Sequence, residues 1–478
     1  MRKRTKIIAT LGPSTTSSKM LTELIAAGTD VFRLNLSHAK IEDAKEIINK
    51  LKSSSLKLKR PVATLIDLQG QKIRVRGFAK KDFVNLKNDQ KFVLDGSLKD
   101  EEGDDFSVGV THKHFYKNIK TKDEILLSDG LIKLKVNEVK SNKIHTTVIR
   151  GGKLLPFQGL NKKGGGLSLK GLTKKDIADL KKAIKLDIDY IAVSFVRDKN
   201  DLIAVKKITD KKNIGLIAKI ERNEALANID SILDHSDGIL VARGDLGVEL
   251  GIEVLPAIQD ELIGKAMDHD KLVIVATQMM ESMKTNRVPT RAEVFDVSNA
   301  ACSGVDAIML SAETAVGKYP AEVVQEASRI CDIAEKTNIK EIKIGDKGEI
   351  FNKIDQIIAM AAVYGADRSN VKAIAALTET GSTPLWMSRI QSSIPIYAMT
   401  VNEKTSRRIC LYRGVYSIRL DKIEHDHARA NIQVIKLMQK QGAVKKGDLV
   451  IITKGDLMGT SGGTNAIKIV EVGKLLKV

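Results

Sequence analysis

Short apolar runs rich in β-branched residues recur along the first two-thirds of the chain: Thr5–Gly12 (TKIIATLG), Val31–Ser37 (VFRLNLS), Val62–Leu68 (VATLIDL), Tyr190–Val196 (YIAVSFV), Gly215–Glu221 (GLIAKIE), Gly238–Gly244 (GILVARG), Leu272–Gln278 (LVIVATQ) and Ala307–Glu313 (AIMLSAE). A run that is apolar at successive positions suits a strand buried on both faces, and most of these runs lead into a stretch of helical periodicity. The pattern predicts eight parallel β/α units, and eight such units favour a closed (β/α)8, or TIM, barrel over an open doubly wound sheet. Polar residues gather at the C-terminal ends of the runs: Arg33, Asn35 and Ser37; Asp67; Ser194; Lys219 and Glu221; Arg243 and Asp245; Thr277 and Gln278; Ser311 and Glu313. In a barrel these ends share one rim, so the distribution predicts a catalytic cleft there.

Most gaps between runs suit one crossover helix, but the gap from Leu68 to Tyr190 is far longer. Inside it Lys72–Gly77, Asp82–Leu86, Lys91–Leu94, Ile125–Leu127, Leu131–Lys140 and Lys143–Ile149 alternate apolar with polar residues, which predicts a small antiparallel β-domain set on the rim as a lid. Beyond a charged linker at Glu341–Gly348, expected helices at 350–366, 383–391, 403–412 and 426–441 alternate with strands at 371–378, 394–400, 415–420, 448–453 and 467–472, an open α/β sheet. The expected organisation is a barrel in two parts, residues 1–70 and 169–345, a lid at 71–168 and a C-terminal α/β domain at 346–478.

Lys and Arg outnumber Asp and Glu by 78 to 59, and the resulting charge of +19 is spread along the chain, as on a lysine-rich solvated surface that also attracts anionic ligands. That charge alone would suggest a nucleic-acid-binding protein, but aromatic residues make up only 4%, with Trp386 the one tryptophan, too few stacking platforms for single strands. Cys302, Cys331 and Cys410 lie far apart and support neither a disulfide framework nor a zinc site. The N-terminus has no apolar signal core and no run of ~18 apolar residues occurs, so a cytoplasmic protein without a membrane segment is expected.

Lys219 and Glu221 are two residues apart on one strand, hence on one side of the pleat. Asp245 stands between glycines in VARGDLG, whose amides are free to take a carboxylate or phosphate. Glu221 and Asp245 form the best carboxylate pair for Mg²⁺ or Mn²⁺, with ordinary rim ion pairs as the alternative. No GxxxxGK[ST] loop occurs, and Gly164–Gly166 lacks the setting of a dinucleotide fingerprint. His425 and His427 read as a solvated helix face, and His38 as a cap or a supporting group at the rim.

RLNLSH at Arg33–His38, IDLQGQKIR at Ile66–Arg74, KIERNEAL from Lys219, SDGILVARGDLGVEL from Ser236, ATQMMESM at Ala276–Met283, PTRAEVFDVSNA at Pro289–Ala300 and MLSAETAVGKYP at Met309–Pro320 resemble the successive motifs of pyruvate kinases. The resemblance covers nearly the whole chain. It implies a TIM barrel with an inserted lid and a C-terminal regulatory domain, and transfer of the phosphoryl group of phosphoenolpyruvate to ADP, giving pyruvate and ATP. It also implies a homotetramer controlled by a phosphorylated effector. By the matching motifs, Lys219 acts on the transferred phosphoryl group, Glu221 and Asp245 hold the divalent metal, and the amides of Gly244 and Asp245 take the substrate carboxylate. Arg33 and Arg74 contact phosphate oxygens, and Thr277 stands where the enolate is protonated, with Ser311 or Glu313 in the relay.

The resemblance places K⁺ at Asn35, Ser37, Asp67 and the backbone of Leu68. Here Leu68 replaces the threonine of potassium-dependent members and Lys72 replaces their glutamate, so Lys72 is expected to serve as an internal cation and K⁺ not to be required. Gln158 is expected at the lid position where members carry a nucleotide-facing lysine, with Lys162 or Lys163 as substitutes, and Gln71 replaces a proline at the hinge. In LTETGSTP, Thr378, Thr380, Ser382 and Thr383 surround Gly381 at an expected helix start, which suits an anion or a plain capping turn. The resemblance favours an effector phosphate there, with Lys454–Asn465 as a second wall. A same-fold rival is an aldolase-type lyase, against which the lid and third domain argue.

Overall fold

The computed structural model describes residues 3–112, 114–167, 171–209, 212–337, 353–456 and 462–474. The linker expected at Glu341–Gly348 lies outside these residues.

Eight parallel strands, β1 (Lys6–Leu11), β2 (Val31–Asn35), β3 (Ala63–Asp67), β4 (Tyr190–Val193), β5 (Gly215–Ile220), β6 (Gly238–Ala242), β7 (Leu272–Ala276) and β8 (Ala307–Leu310), close into a barrel in sequential order, with β8 pairing back onto β1. They are the eight apolar runs of the sequence. One alternate set of side chains, including Ile7, Phe32, Ile66, Ile191, Val241 and Ile308, packs outward against the helices. The other set, including Ile8, Val31, Leu65, Tyr190, Ile217, Leu240 and Ile274, fills the interior. Two residues further along the interior set, polar groups take over: Arg33 and Asn35 after Val31, Asp67 after Leu65, Ser194 after Ala192, Lys219 and Glu221 after Ile217, and Ser311 after Met309. The pleat that packs the barrel floor therefore aims these groups into its mouth.

Between Asp67 and Tyr190 lies a six-stranded sheet in the order Leu160–Lys162, Glu124–Leu127, Ile132–Lys140, Lys143–Arg150, Lys91–Asp95, Ser107–Gly109, beside a pair formed by Gly152–Leu154 and Val84–Leu86. It closes over its own core around Phe92, Leu94, Ile125, Leu134 and Val148. Lys72–Gly77, expected as a strand, makes only single bridges, Arg74 to Gly159 and Val75 to Val110. Its alternation is real, since Ile73 and Val75 enter the lid core, but no neighbour runs alongside it for long enough to build a ladder.

The C-terminal sheet has the order Val415–Arg419, Ile396–Thr400, Val371–Leu377, Leu449–Gly455, Thr464–Glu471, parallel except for the last pair, with helices Ile354–Asp367, Ser382–Arg389, Glu403–Arg408 and His427–Lys440. It docks on the underside of the barrel, where the Tyr190 hydroxyl donates to the Arg408 carbonyl at 2.6 Å and Arg407 pairs with Asp189 at 3.0 Å and Asp187 at 2.6 Å. Among the described residues no helix is long and apolar enough to cross a membrane.

Candidate active site

A cleft of about 220 Å³ opens at the barrel mouth beneath the lid, lined by Arg33, Asn35, Ser37, Lys72, Arg74, Ser194, Lys219, Glu221, Asp245, Thr277 and Ser311 among others. At its floor the buried Lys219 ammonium donates to Ser194 Oγ at 2.7 Å and pairs with Glu221 Oε1 at 3.1 Å and Asp67 Oδ1 at 3.3 Å. Burial pulls its pKa down, but Asp67 and Glu221 outweigh burial and hold it above the ordinary lysine range, so Lys219 is a permanent cation. Asp67 Oδ2 also takes Nε of Arg33 at 2.8 Å and Nη2 at 2.5 Å. Burial alone would raise the Asp67 carboxyl, yet Lys219 and Arg33 keep it below its usual range. Glu221, which accepts the Phe195 amide at 2.7 Å, is pushed up by burial against the pull of Lys219, with Asp245 and Asp67 adding to the rise.

Asp245 stands in the first turn of the helix Arg243–Leu250, which follows β6 directly. The Lys72 ammonium lies 2.6 Å from Asp245 Oδ1 and 3.6 Å from Asp129 Oδ1 of the lid. The Gly244 amide donates to Thr277 Oγ1 at 2.8 Å, and that hydroxyl donates to the Ala276 carbonyl at 2.6 Å. Thr277 and Gln278 have φ of +69° and +54°, a left-handed backbone that costs a β-branched residue more than most. Arg243 holds the bend from behind, with Nη2 on the Thr277 carbonyl and Nη1 on Asp296 Oδ1, both at 2.6 Å. Glu313 caps the neighbouring loop by accepting the amides of Ser311 at 2.6 Å and Met280 at 3.2 Å.

Glu221 and Asp245 face one cleft from the ends of adjacent strands and offer oxygen donors only. Among the described residues no group of three His, Cys, Asp or Glu side chains gathers as a complete cage. Two carboxylates beside open space fit Mg²⁺ or Mn²⁺, which keep water and substrate oxygens in their shell, and do not fit zinc.

Arg74 lines the cleft with Nη1 on the Phe157 carbonyl at 2.8 Å. Asn35 Oδ1 accepts the Ser37 amide at 3.1 Å, and the Leu68 carbonyl accepts Ser194 Oγ at 2.8 Å, while the Leu68 side chain packs into the barrel core. His38 is exposed at the cleft edge. The Gln158 carbonyl accepts the Val75 amide at 3.0 Å, and Lys162 and Lys163 pair with lid carboxylates Asp123 and Glu124 at 3.2 and 3.4 Å. None of these three lines the cleft. Arg222 holds the hinge through the Gln71 carbonyl at 3.1 Å. Sequence reasoning misses Asp129, whose SDG turn is legible as a turn but not as a neighbour of the barrel, and Asp296, which reaches the site from a helix.

In the C-terminal domain Thr378, Thr380, Ser382 and Thr383 line one small cavity of about 40 Å³ together with Gly462, Gly463 and Thr464. Thr383 Oγ1 donates to Thr464 Oγ1 at 2.9 Å, so the turn and the described part of its expected second wall meet. His425 and His427 are exposed.

Where the lid rejoins the barrel, the Gly164 amide donates to the Glu249 carbonyl at 2.8 Å and Asn223 N donates to Glu249 Oε2 at 3.0 Å. Gly165 is needed there, since it has φ of +76° and a Cβ would lie 3.1 Å from Glu249 Oε2. Burial raises the Glu249 carboxyl to about 7, against the pull of the Asn223 amide. The folded state thus keeps a proton that the unfolded chain releases near 4.5, so this group's contribution to stability is full below that pH and is lost as pH rises through about 7. Glu249→Gln is therefore expected to leave the melting temperature unchanged in acid and to raise it by a few degrees at about pH 8. Calorimetry at both pH values checks this, and a pH-independent difference would sink it.

Residues 2–324 match the family described as pyruvate kinase, barrel domain, and residues 356–470 the family described as pyruvate kinase, alpha/beta domain. The chain is 44% identical over 477 residues to pyruvate kinase II of Salmonella typhimurium, spanning 98% of this chain and 99% of that protein. It is 45% identical over 479 residues to the pyruvate kinase of Buchnera aphidicola subsp. Baizongia pistaciae, with coverage of 98% and 99%. It is 39% identical over 477 residues to that of Thermotoga maritima, again with 98% and 99%. Barrel, lid and C-terminal sheet all fall within these matched lengths, and a likeness that runs unbroken through three domains leaves one conclusion: the chain belongs to the pyruvate kinase family and is a phosphotransferase.

Proposed function

We propose that this enzyme transfers the phosphoryl group of phosphoenolpyruvate to ADP, giving pyruvate and ATP, with Mg²⁺ or Mn²⁺ bound. The observation that carries the reading is the permanent Lys219 cation, set beside Arg33 and the carboxylates Glu221 and Asp245 in one cleft. Phosphoryl transfer asks the protein mainly to position groups and to stabilise charge spread over the phosphoryl oxygens, which a fixed buried cation does best in the transition state. Glu221 and Asp245 would hold the divalent ion, which when bound neutralises charge on phosphate and substrate oxygens. Arg33 and Arg74 receive phosphate oxygens, and the amides of Gly244 and Asp245 receive the substrate carboxylate, the Gly244 amide giving up its bond to Thr277 Oγ1 to do so. As the phosphorus–oxygen bond to the substrate breaks, its electron pair stays on the enolate, which takes a proton at carbon through water on the Thr277 side. Ser311 or Glu313 completes the relay.

Lys72 serves in place of K⁺, beside the position formed by Asn35, Ser37, Asp67 and the Leu68 carbonyl. The test is a coupled assay with phosphoenolpyruvate, ADP and Mg²⁺ in which the only added monovalent cation is a bulky organic one. Full turnover is expected, with acquired K⁺ dependence in Lys72→Glu. Activation of the wild type by K⁺ of about tenfold or more, some 1.4 kcal/mol, would end the potassium reading. Absence of ATP in every buffer would end the reaction itself, and cleavage of an oxoacid without ADP would favour the same-fold lyase.

Thr378, Thr380, Ser382 and Thr383 bind the phosphate of an effector, a sugar phosphate or nucleoside monophosphate, in the C-terminal regulatory domain. Thr383→Glu is expected to blunt activation by placing negative charge in the anion site, and a wild type indifferent to a panel of such ligands would remove the effector. The functional units are residues 1–70 with 169–345, 71–168 and 346–478, in a cytoplasmic homotetramer whose mass sedimentation reads directly.

A further inference from the structure

Lys72 has two carboxylate partners that belong to different domains. Its ammonium lies 2.6 Å from Oδ1 of Asp245 on the barrel rim and 3.6 Å from Oδ1 of Asp129 in the lid. The contact is built on both sides. Gly159 leaves room for the stem, since a Cβ there would stand 2.7 Å from Lys72 Cε. Asp129 belongs to a turn in which Ser128, Asp129 and Gly130 all have left-handed backbones, with φ of 52°, 52° and 86°. Asp245 is only one-fifth exposed, so the ammonium faces it with little intervening water.

Asp245 is also one of the two carboxylates placed around the divalent ion, and the ammonium already sits on its Oδ1. An ammonium at hydrogen-bond distance and a doubly charged ion on one carboxylate repel each other through a half-buried space where water screens poorly. An ion that takes Oδ1 meets the ammonium there, and the lysine has a flexible four-carbon stem on which to leave. We propose that Lys72 is the built-in competitor of the divalent ion: it holds Asp245 until the ion displaces it, and the displaced ammonium then moves toward the Asn35, Ser37 and Asp67 side of the cleft. This rests on the reading of Glu221 and Asp245 as the metal pair. It makes one side chain serve twice, first as the guard of the metal carboxylate and then as the monovalent charge beside the substrate phosphate. The divalent ion is thereby required before that second charge is delivered.

The experiment is Mn²⁺ binding to the full chain, read from the electron paramagnetic resonance of the free ion at fixed ionic strength. The chains compared are the wild type, Lys72→Met, Asp245→Asn and the double variant. Alongside it, acylation of Lys72 by an amine-reactive ester is located by peptide mass spectrometry in the wild type with and without Mg²⁺. Lys72→Met is expected to bind Mn²⁺ tenfold or more tightly than the wild type, and the gain is expected to vanish in the double variant. Lys72 is expected to become several-fold more reactive when Mg²⁺ is added to the wild type. If Asp245→Asn weakens Mn²⁺ binding but Lys72→Met binds like the wild type, the competition is overturned and the metal pair stands. Tighter binding in Lys72→Met without a change in Lys72 reactivity signals general charge repulsion and also overturns it. If Asp245→Asn binds Mn²⁺ like the wild type, the metal pair fails and the competition with it.

Discussion

Lys219→Met is expected to lower turnover by about three orders of magnitude while the affinity for phosphoenolpyruvate changes little. The size follows from electrostatics: one charge pair at 4 Å in a medium of effective dielectric 20 is worth about 4 kcal/mol, or roughly a thousandfold in rate. The loss falls on the rate because the phosphoryl oxygens interact with Lys219 most strongly as charge spreads over them in transfer. Methionine is the right replacement, since it fills much of the volume of the stem. It leaves Asp67 and Glu221 without the ammonium that now sits 3.3 and 3.1 Å from them. Glu221, already pushed up by burial, is the member of that pair expected to take a proton, which spares the fold. Steady-state kinetics with circular dichroism check the claim. A variant that keeps half its activity shows that Lys219 is not the phosphoryl cation.

Asp245→Asn and Glu221→Gln are each expected to raise the Mg²⁺ concentration for half-maximal turnover a hundredfold or more, about 2.7 kcal/mol. A site with two carboxylates has few anionic donors to spare, so replacing one by a neutral amide removes half of its charge. The two variants should differ in one respect. Asp245→Asn also removes the nearer of the two carboxylate partners of Lys72, whereas Glu221→Gln leaves that ion pair intact and frees part of Lys219. Glu221→Gln is accordingly expected to lose more turnover at saturating Mg²⁺. Magnesium titrations of both variants decide the matter, and unchanged curves in both would falsify the metal pair.

The barrel is legible in the sequence because a strand covered on both faces has to be apolar throughout, and eight such runs leave few alternatives. The lid is less so. Ile73 and Val75 alternate with polar neighbours because they enter a core, and burial of that kind says nothing about whether a partner strand lies alongside. Ser107–Gly109, Gly152–Leu154 and Leu160–Lys162 are three residues each, too short to show a period. At the site, Arg33, Asp67, Lys219 and Glu221 stand out because each interrupts an apolar run on the interior face. Asp129 and Asp296 do not, since a turn and a helix bring them in by tertiary contact alone. Nothing in a threonine announces the left-handed backbone of Thr277, which glycine or asparagine would signal. Nor does the sequence say which carboxylate Lys72 meets, because its stem is long enough for several.

The barrel interior continues without a break into the C-terminal domain, where Ile8, Leu65, Tyr190 and Ile217 belong to one apolar cluster with Ile374, Ile409, Leu411 and Val415. The lid core is closed on itself. The consequence is for cooperativity. The barrel and one face of the C-terminal sheet share that packing, so the two are expected to unfold as one unit, while the lid is expected to unfold with a free energy of its own. Amides of the lid strands should therefore exchange with solvent at lower cost than those of β1–β8 and Val371–Leu377, and identical costs would mean that the lid is not a separate unit. Substitutions can then tune how tightly the lid closes without drawing on the stability that keeps Lys219, Glu221 and Asp245 in place.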